Sequence, residues 1–398
     1  MTAQLEFGTV SNPEETQRLG EIVSQCFNFP ISEWSSYRDR IGIENFRCLR
    51  RHGLLVGGLG IYQMGQWWGG RCVPMAGIAA VGVVPEHRGT GVVTELLSHT
   101  LKELSANGVP LSSLYPATQR PYRKVGYEQG GTYCGFELPT DSIGLSGKPS
   151  AQINTLPVQP VGAIHHEVFH EIYRQKAIDN NGNLERHRAI WERLVQPKEE
   201  EVIYAYLVGS ETQPEGYIIF KQQRFGNELQ VAIADWVALT QAAARRLWTF
   251  LGDHRSIIKK VRWHGASIDP RLFLLQEQTY RVVGLERWML RVIDVPKALS
   301  ERGYPAGVEA ELHLEVGDDL LPENNGKYVL AVSGGRGQVT KGGRGDLRLN
   351  VRGLAPLYTG LFTPFQLQLT GQLSATDNAL AVAALMFAGS EPWMPDLF

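Results

Sequence analysis

The sequence predicts an α+β protein, mixed α/β in the broad sense, built from three consecutive domains. Its 398 residues are more than one hydrophobic core usually organises. Residues 78–103 follow the order strand, glycine turn, amphipathic helix, and residues 229–248 repeat that order without the glycines. The C-terminal region groups its alternating strands before its helices. We therefore expect domains at 1–140, 141–292 and 293–398.

The composition is typical of a globular protein and excludes several classes of partner. Apolar residues make up 43% and charged residues 20% of the chain. The formal net charge is -2 and basic residues are scattered, which argues against a nucleic-acid partner. No stretch approaches the length of an apolar membrane span, and the N-terminus has no signal-peptide pattern. The four cysteines lack CxxC spacing, so we expect reduced thiols and a cytoplasmic protein.

The first domain is predicted to begin with a short strand, a capped helix and antiparallel hairpins. Ser11-Asn12-Pro13 is a helix start, since it combines a capping side chain with proline in the first turn. Turns are expected at 52–53 and 65–70. The first helix should bury Leu19, Ile22, Val23 and Phe27. Strands are predicted at 5–10, 47–51, 54–63, 72–84, 109–114 and 127–138, and further helices at 32–41 and 122–126.

The central feature of this domain is the turn between strand and helix in residues 78–103. An uncharged apolar run, residues 78–84, ends at Pro85 and leads through Arg88-Gly89-Thr90-Gly91 into an amphipathic helix. Glycines let backbone N–H groups approach a ligand closely, and a helix N-terminus favours an anion. The sequence therefore predicts an anion-binding loop here. A stretch rich in Gly, Pro and Ser, residues 138–150, then marks the first domain boundary.

The second and third domains are predicted from the same kinds of pattern. In the second domain we expect strands at 152–159, 202–207, 216–222, 229–237 and 260–263, with helices at 162–175, 184–194 and 240–251. The third domain should begin with a capped short helix near Asp294. Its strands are expected at 308–316, 327–332, 337–340 and 346–350, and its helices at 351–360 and 376–387.

Two motifs resemble those of the Gcn5-related N-acetyltransferases. Arg88 to Val93 resembles the acetyl-CoA motif Arg/Gln-x-x-Gly-x-Gly/Ala: Arg88 and Gly91 match, and Val93 departs from the small last residue. Residues 121–127 resemble the Tyr-x-x-x-Gly-Phe/Tyr segment that follows the fifth strand of that superfamily. Two such units, a sterol-carrier-like domain and a final Phe398 together resemble the Eis (enhanced intracellular survival) family of acetyltransferases.

The resemblance implies direct acetyl transfer from acetyl-CoA without a metal. It assigns the general acid, which protonates the leaving thiolate, to Tyr122. It assigns the general base, which deprotonates the amine, to the C-terminal carboxylate of Phe398. Tyr115 stays outside the catalytic set. The residues expected to bind the cofactor are Val81, Gly82, Val83, Arg88, Gly89, Thr90, Gly91, Val92, Val93, Thr94, Ala117 and Thr118.

The resemblance also implies the substrate class and the assembly. The family acetylates primary amines of cationic small molecules, aminoglycosides or polyamines among them, and forms hexamers, so we expect a homo-oligomer. Candidates for an acidic or aromatic substrate pocket are Asn28, Phe29, Trp34 and Asp396.

Other interpretations of these residues remain open at this point. The third domain could instead make the protein a lipid- or partner-binding protein without catalysis. Tyr122 could be a core aromatic residue, and Phe398 a frayed end. His166-Glu167-Val168-Phe169-His170 has the H-E-x-x-H spacing of zinc hydrolases, but the sequence identifies no third ligand. We interpret these histidines as surface residues.

Overall fold

The computed structural model describes residues 5–146, 156–162, 166–197 and 201–398. The chain forms two compact units: the first contains residues 1–131, 287–390 and 398, and the second contains 132–286 and 391–397. Parts of the first and third predicted domains thus belong to one unit, so the boundaries at 140 and 292 stay predictions. Within the described ranges, no helix has both the length and the apolarity to cross a membrane.

The N-terminal part of the first unit is a twisted sheet with helices packed on it. Its strands pair in the order β1-β2-β3-β4-β5-β13, antiparallel except for the parallel pair β4·β5. The strands are β1 Leu5–Thr9, β2 Phe46–Arg51, β3 Leu54–Trp68, β4 Arg71–Val83, β5 Leu111–Leu114 and the C-terminal part of β13 Arg281–Val292. The helices are α1 Pro13–Phe27, α2 Trp34–Ile41, α3 Val92–Ala106 and α4 Gln119–Lys124.

Two local predictions about this sheet were wrong. Phe27 is 51% exposed because α1 ends there and the chain turns at Asn28, which has a left-handed φ of 50°. The hairpin turn after β3 is confined to Gly69 and Gly70, not 65–70, because the strand continues through Trp68. Trp68 is fully buried against Trp288, so its packing extends the strand.

The pairing between β4 and β5 ends before β4 does, and we call the end of this pairing the separation of the two strands. They pair only over Met75–Gly77 and Leu111–Ser113. Beyond that point β4 still pairs with β3, with a register shift opposite Gly58–Gly60 and a left-handed φ of 51° at Ala80. The register shift marks a β-bulge next to Val81. Separately, one edge of β4 beyond Gly77 has no strand partner from β5 in the described residues.

The C-terminal part of the first unit is a five-stranded sheet covered by helices. The strand order is β16-β15-β14-β17-β18, with β14 and β17 parallel. The strands are β14 Ala310–Gly317, β15 Gly326–Ser333, β16 Arg336–Lys341, β17 Leu347–Asn350 and β18 Leu373–Ala375. The helices are α8 Val295–Glu301, α9 Val351–Thr359, α10 Pro364–Leu369 and α11 Asp377–Met386. The sequence patterns missed α10 and β18, both of which are too short to show periodicity.

The second unit repeats the arrangement of the first sheet. Its strands pair in the order β6-β12-β11-β10-β9-β7, and β11·β12 is the parallel pair. The connection β11–α7–β12 thus corresponds to β4–α3–β5, as the repeated pattern predicts. The strands are β6 Glu128–Pro139, β7 Val158–Pro160, β9 Ile203–Gly209, β10 Pro214–Phe225, β11 Glu228–Ala238 and β12 Ile258–Gly265. The helices are α5 His166–Ile178, α6 Arg188–Val195 and α7 Gln241–Gly252.

Two sequence expectations in the second unit need correction, and one strand shared by both units was missed. The predicted helix 184–194 begins only at Arg188, because Leu184–Glu185 form a short strand, β8. The predicted strand 152–159 begins at Val158, and residues 152–155 lie outside the described ones. The sequence patterns did not predict β13, whose exposed N-terminal half and buried C-terminal half obscure any single periodicity.

Candidate active site

The turn after β4 has the backbone that its glycines predict. Gly89 and Gly91 have φ values of 75° and 89°, the left-handed region that other residues avoid. A Cβ atom at either position would meet no described atom within 4 Å. Glycine is therefore required here for backbone conformation rather than for space, and the loop can present its N–H groups to a ligand.

Helix α3 begins without the cap that its counterpart in the second unit has. Gly91 occupies the N-cap position, and no described side chain caps the helix. In α7 the N-cap is Thr240, whose side chain accepts a hydrogen bond from the N–H of Ala243. The first-turn N–H groups of α3 remain available to an anion, with the helix dipole behind them. The two copies thus differ at the same turn in which the second copy lacks the glycines.

A cavity of about 450 Å³ lies at this helix start. That volume is within the range of small-molecule sites. Among the residues that the structure describes, its lining includes two arginines, a lysine and a histidine but no carboxylate. The lining residues are Val83, His87, Arg88, Gly89, Gly91, Val92, Val93, Thr94, Thr118, Arg120, Pro121 and Lys124.

Most of the predicted cofactor-binding residues line this cavity, and four do not. Val81 and Gly82 belong to β4 beside the bulge. Thr90 donates its hydroxyl hydrogen to the carbonyl of His87 at 2.7 Å, which stabilises the turn. Ala117 is exposed next to Thr118, which does line the cavity.

Arg120 and Lys124 line the cavity but were missed from the sequence. Exposed cations on a six-residue helix carry no periodic or motif signal. Arg88, which was predicted, is partly committed to the protein: its Nε donates to the carbonyl of Val83 at 3.3 Å, and an Nη donates to Sγ of Cys26 at 3.4 Å.

Tyr122, a residue of α4, is buried, with 6% of its surface exposed. Its ring contacts that of Tyr127, with centroids 6.2 Å apart, and its carbonyl accepts from the N–H of Tyr127. Burial raises the pKa of Tyr122 to about 12. The phenol is therefore protonated at neutral pH, the state that a proton donor requires.

Phe398 is packed against the sheet in the first unit. Its ring lies edge-on to Tyr62 and to Tyr115, with centroid distances of 5.9 Å and 6.0 Å. A Cβ on Gly77 would come within 2.6 Å of this ring. Gly77 is the last residue of β4 that pairs with β5, so Phe398 contacts the point at which the two strands separate.

The predicted substrate residues have different environments. Trp34 is 3% exposed and its indole N–H donates to the carbonyl of Thr16 at 3.0 Å, which makes it a core residue. Asp396 is buried in the second unit and paired with Arg186 at 2.9 Å, so its carboxylate is committed to that arginine. We remove both from the candidates. Asn28 is exposed and Phe29 half-buried at the C-terminal end of α1.

In the H-E-x-x-H segment, the structure describes the side chain of His170, which contacts other protein side chains. His170 accepts from the indole N–H of Trp191 at 3.1 Å and lies 3.5 Å from a carboxylate oxygen of Glu185. The side chain of His166 lies outside the described ones. In the part of the chain that the structure describes, no three His, Cys, Asp or Glu residues group as metal ligands.

Three protein families match successive parts of the chain. An acetyltransferase (GNAT) domain matches residues 10–130, a second acetyltransferase (GNAT) domain matches 182–292, and a sterol carrier protein domain matches 295–395. These matches confirm the predicted order of two acetyltransferase folds followed by a sterol-carrier-like domain.

Curated relatives carry acetyltransferase names. An uncharacterised N-acetyltransferase of Streptomyces griseus is 28% identical over 349 residues, 83% of each chain. The N-acetyltransferase Eis of Mycobacterium tuberculosis is 26% identical over 329 residues, 77% of this chain and 76% of that protein.

Solved structures extend the likeness to the full length. A GCN5-related N-acetyltransferase from Anabaena variabilis is 50% identical, with a TM-score of 0.95 over 99% of this chain and 100% of that one. A GCN5-related N-acetyltransferase from Kribbella flavida is 28% identical, with a TM-score of 0.86 over 100% and 99% of the two chains.

Proposed function

This chain belongs to the GCN5-related N-acetyltransferases, and we propose that it transfers the acetyl group of acetyl-CoA to a primary amine on a cationic small molecule such as an aminoglycoside or a polyamine. The observation that carries the proposal is the uncapped start of α3 behind two left-handed glycines, facing a basic cavity. This arrangement suits the pyrophosphate of coenzyme A.

Binding of acetyl-CoA would use two features of β4 and α3. The first-turn N–H groups of α3 would bind the pyrophosphate, with Arg88 beside them. The edge of β4 after Gly77, which lacks a pairing partner from β5 among the described residues, offers backbone groups to the amide-containing pantetheine arm. The thioester is already activated, so holding it next to the amine is sufficient and no covalent enzyme intermediate is required.

Proton transfers would accompany the reaction at both enzyme groups. The substrate ammonium gives a proton to the carboxylate of Phe398, which passes it to solvent, and the neutral nitrogen then attacks the thioester carbonyl. The C–N bond forms, the C–S bond breaks and the departing thiolate takes a proton from Tyr122; the second proton of the acylated nitrogen then restores the phenol. Support comes from the burial of Tyr122, which keeps its phenol protonated, and from the packing of Phe398 at the separation of β4 and β5.

We also propose the substrate contacts, the location, the assembly and the domain boundaries that the sequence predicts. We retain Asn28 and Phe29 as residues that contact the amine substrate, because they are accessible at the end of α1. We also retain the cytoplasmic location, the homo-hexamer and the domain boundaries near 140 and 292. Light scattering of the purified protein tests the assembly.

The proposed activity is tested by release of free thiol from acetyl-CoA with a panel of amines. The panel contains an aminoglycoside, spermidine and a lysine peptide, with an N-acetylated amino sugar, which has no free amine, as the control. We expect turnover with one of the cationic amines. Failure to bind coenzyme A, or lipid in the purified protein together with no turnover, would favour the lipid-binding alternative.

A further inference from the structure

The cavity at the start of α3 is lined by two cationic side chains, Arg120 and Lys124, that the proposed pyrophosphate site does not use. We infer that Arg120 and Lys124 bind the 3′-phosphate of coenzyme A and make the enzyme select a phosphorylated acyl donor. This inference rests on the proposed use of acetyl-CoA. It adds a specificity-determining pair of residues on α4, an element separate from the glycine loop.

Both residues are placed for this role by the short helix that carries them. Arg120 and Lys124 are four positions apart on α4, hence on one face of the helix, and both line the cavity together with the loop residues Gly89 and Gly91. Thr118, directly before α4, lines the same cavity. A ligand held at the first turn of α3 therefore shares its cavity with two side chains of α4.

The charges of α4 indicate that Arg120 and Lys124 form an anion-binding pair. Two like charges four positions apart repel one another on a helix. The structure describes no ion pair for either Arg120 or Lys124, and the described cavity lining contains no carboxylate. By contrast Arg123, on the same helix, is 2.7 Å from Glu128 and is thereby neutralised. A bound anion would relieve the repulsion between Arg120 and Lys124.

The chemistry of coenzyme A supplies an anion for each part of the cavity. The pyrophosphate matches the N–H groups of α3, whose effect falls off within the first turn. The 3′-phosphate is a monoester carrying a charge of roughly -1.5 to -2 at neutral pH. Such a group favours direct pairing with a guanidinium and an ammonium. Of the three cationic side chains in the lining, only Arg88 makes described hydrogen bonds to the protein.

The experiment compares coenzyme A with its 3′-dephospho form. Calorimetry measures the Kd of each for the unaltered protein and for Arg120→Met/Lys124→Met, and thiol release measures the KM of the two acetylated donors. We expect the unaltered protein to bind coenzyme A at least ~10-fold more tightly than dephospho-coenzyme A, since charge-assisted contacts to a phosphate are strong. In the double variant this preference should fall close to one, with the Kd for dephospho-coenzyme A unchanged.

A control variant removes the same charge elsewhere. Lys102→Met/Arg123→Met deletes two positive charges, one on the exposed face of α3 and one on α4, and should keep the preference for coenzyme A. The inference is overturned if the unaltered protein binds both forms equally, or if Arg120→Met/Lys124→Met weakens both to the same extent. If neither form binds, the use of acetyl-CoA itself fails. Binding that discriminates without any amine turnover would contradict the proposed reaction and leave the phosphate contact supported.

Discussion

The ring of Phe398 meets the ring of Tyr115 at an angle of 78°, with 6.0 Å between their centroids. Tyr115 directly follows β5, and Gly77, the last paired residue of β4, lies under the same Phe398 ring. Edge-to-face contacts of this kind stabilise aromatic pairs beyond their buried area. Phe398 is thus held at the place where the pairing of β4 with β5 ends.

An extension of the chain beyond Phe398 should abolish most of the activity. Two added glycines would displace the terminal carboxylate by up to ~7 Å while leaving the ring in place. If this carboxylate is the general base, kcat should fall by about 100-fold or more, as expected for loss of acid–base catalysis. Thiol release at saturating amine measures the change.

Phe398→Leu is the matched control for the extension, because it keeps the carboxylate and removes the ring contacts with Tyr62 and Tyr115. It should retain more activity than the extended chain. An extended protein with undiminished kcat would exclude the carboxylate as the base.

Tyr122→Phe should lower kcat with little effect on cofactor binding. The substitution removes the hydroxyl and preserves the ring contact with Tyr127, so the fold of α4 should be kept. We expect a loss of about 100-fold in kcat, the lower range for a general acid. Calorimetry with coenzyme A checks that binding remains, and Tyr115→Phe provides a neighbouring tyrosine variant for comparison. Equal losses in both variants would argue against a specific role for Tyr122.

Ionisation of Tyr122 should not lower kcat/KM at alkaline pH within the assayed range. Its pKa is raised to about 12, so the phenol stays protonated, and able to donate, throughout the range in which enzymes are assayed. With a polyamine, kcat/KM should rise from pH 6 towards pH 9 as the substrate amine loses its proton, with no fall below about pH 10. A falling limb near pH 8 that disappears in Tyr122→Phe would show that the phenol ionises earlier than its burial implies.

Gly91→Ala should weaken the binding of acetyl-CoA more than Gly70→Ala, which strains the backbone to a similar extent. Gly91 has a φ of 89° and Gly70 a φ of 80°, and a Cβ at either would contact no atom of the described residues within 4 Å. Both substitutions should cost about 1–2 kcal/mol of folding free energy, because a non-glycine residue disfavours this conformation.

Only Gly91→Ala should also raise the KM for acetyl-CoA, since Gly70 belongs to the β3–β4 hairpin turn and does not line the cavity. Thermal unfolding and initial rates distinguish the two effects. A similar KM for both variants would show that the loop tolerates a changed backbone.

The ion pair between Glu15 and Arg50 should stabilise the first unit above pH 4.5. Hydrogen bonds from the Arg50 guanidinium lower the pKa of Glu15 to about 2, so the stabilisation is complete above the unfolded pKa and is lost as the pH falls towards 2. Glu15→Gln should reduce the unfolding free energy by about 2 kcal/mol at pH 7, a typical value for a charged hydrogen bond. Urea unfolding at pH 7 and pH 3 should show a smaller difference at the lower pH.

The glycine loop and the repeated units were predictable because short segments determine them. Left-handed φ values at Gly89 and Gly91, the proline break at Pro85 and the apolar face of α3 each depend on a few neighbouring residues. The same holds for the strand–helix–strand pattern of β11 and α7. The glycine loop could therefore be predicted before any contact was known.

Side chains whose environment depends on distant residues could not be placed in this way. An aromatic residue near a predicted site looks the same in the sequence whether it lines a pocket or is buried, as Trp34 is. Asp396 was chosen for its charge, but Arg186, 210 positions earlier, neutralises it. Arg120 and Lys124 gain their significance only because α4 lies beside the start of α3.

Local backbone preference and hydrophobic periodicity thus determined the fold class, the order of the elements and the glycine loop, because these properties act between residues a few positions apart in the chain. The separation of β4 from β5, the packing of Phe398 and the cavity charges depend on contacts between residues far apart in sequence. Such contacts form only when the folded chain buries apolar area and pairs charges. A short segment of sequence does not contain both partners of these contacts.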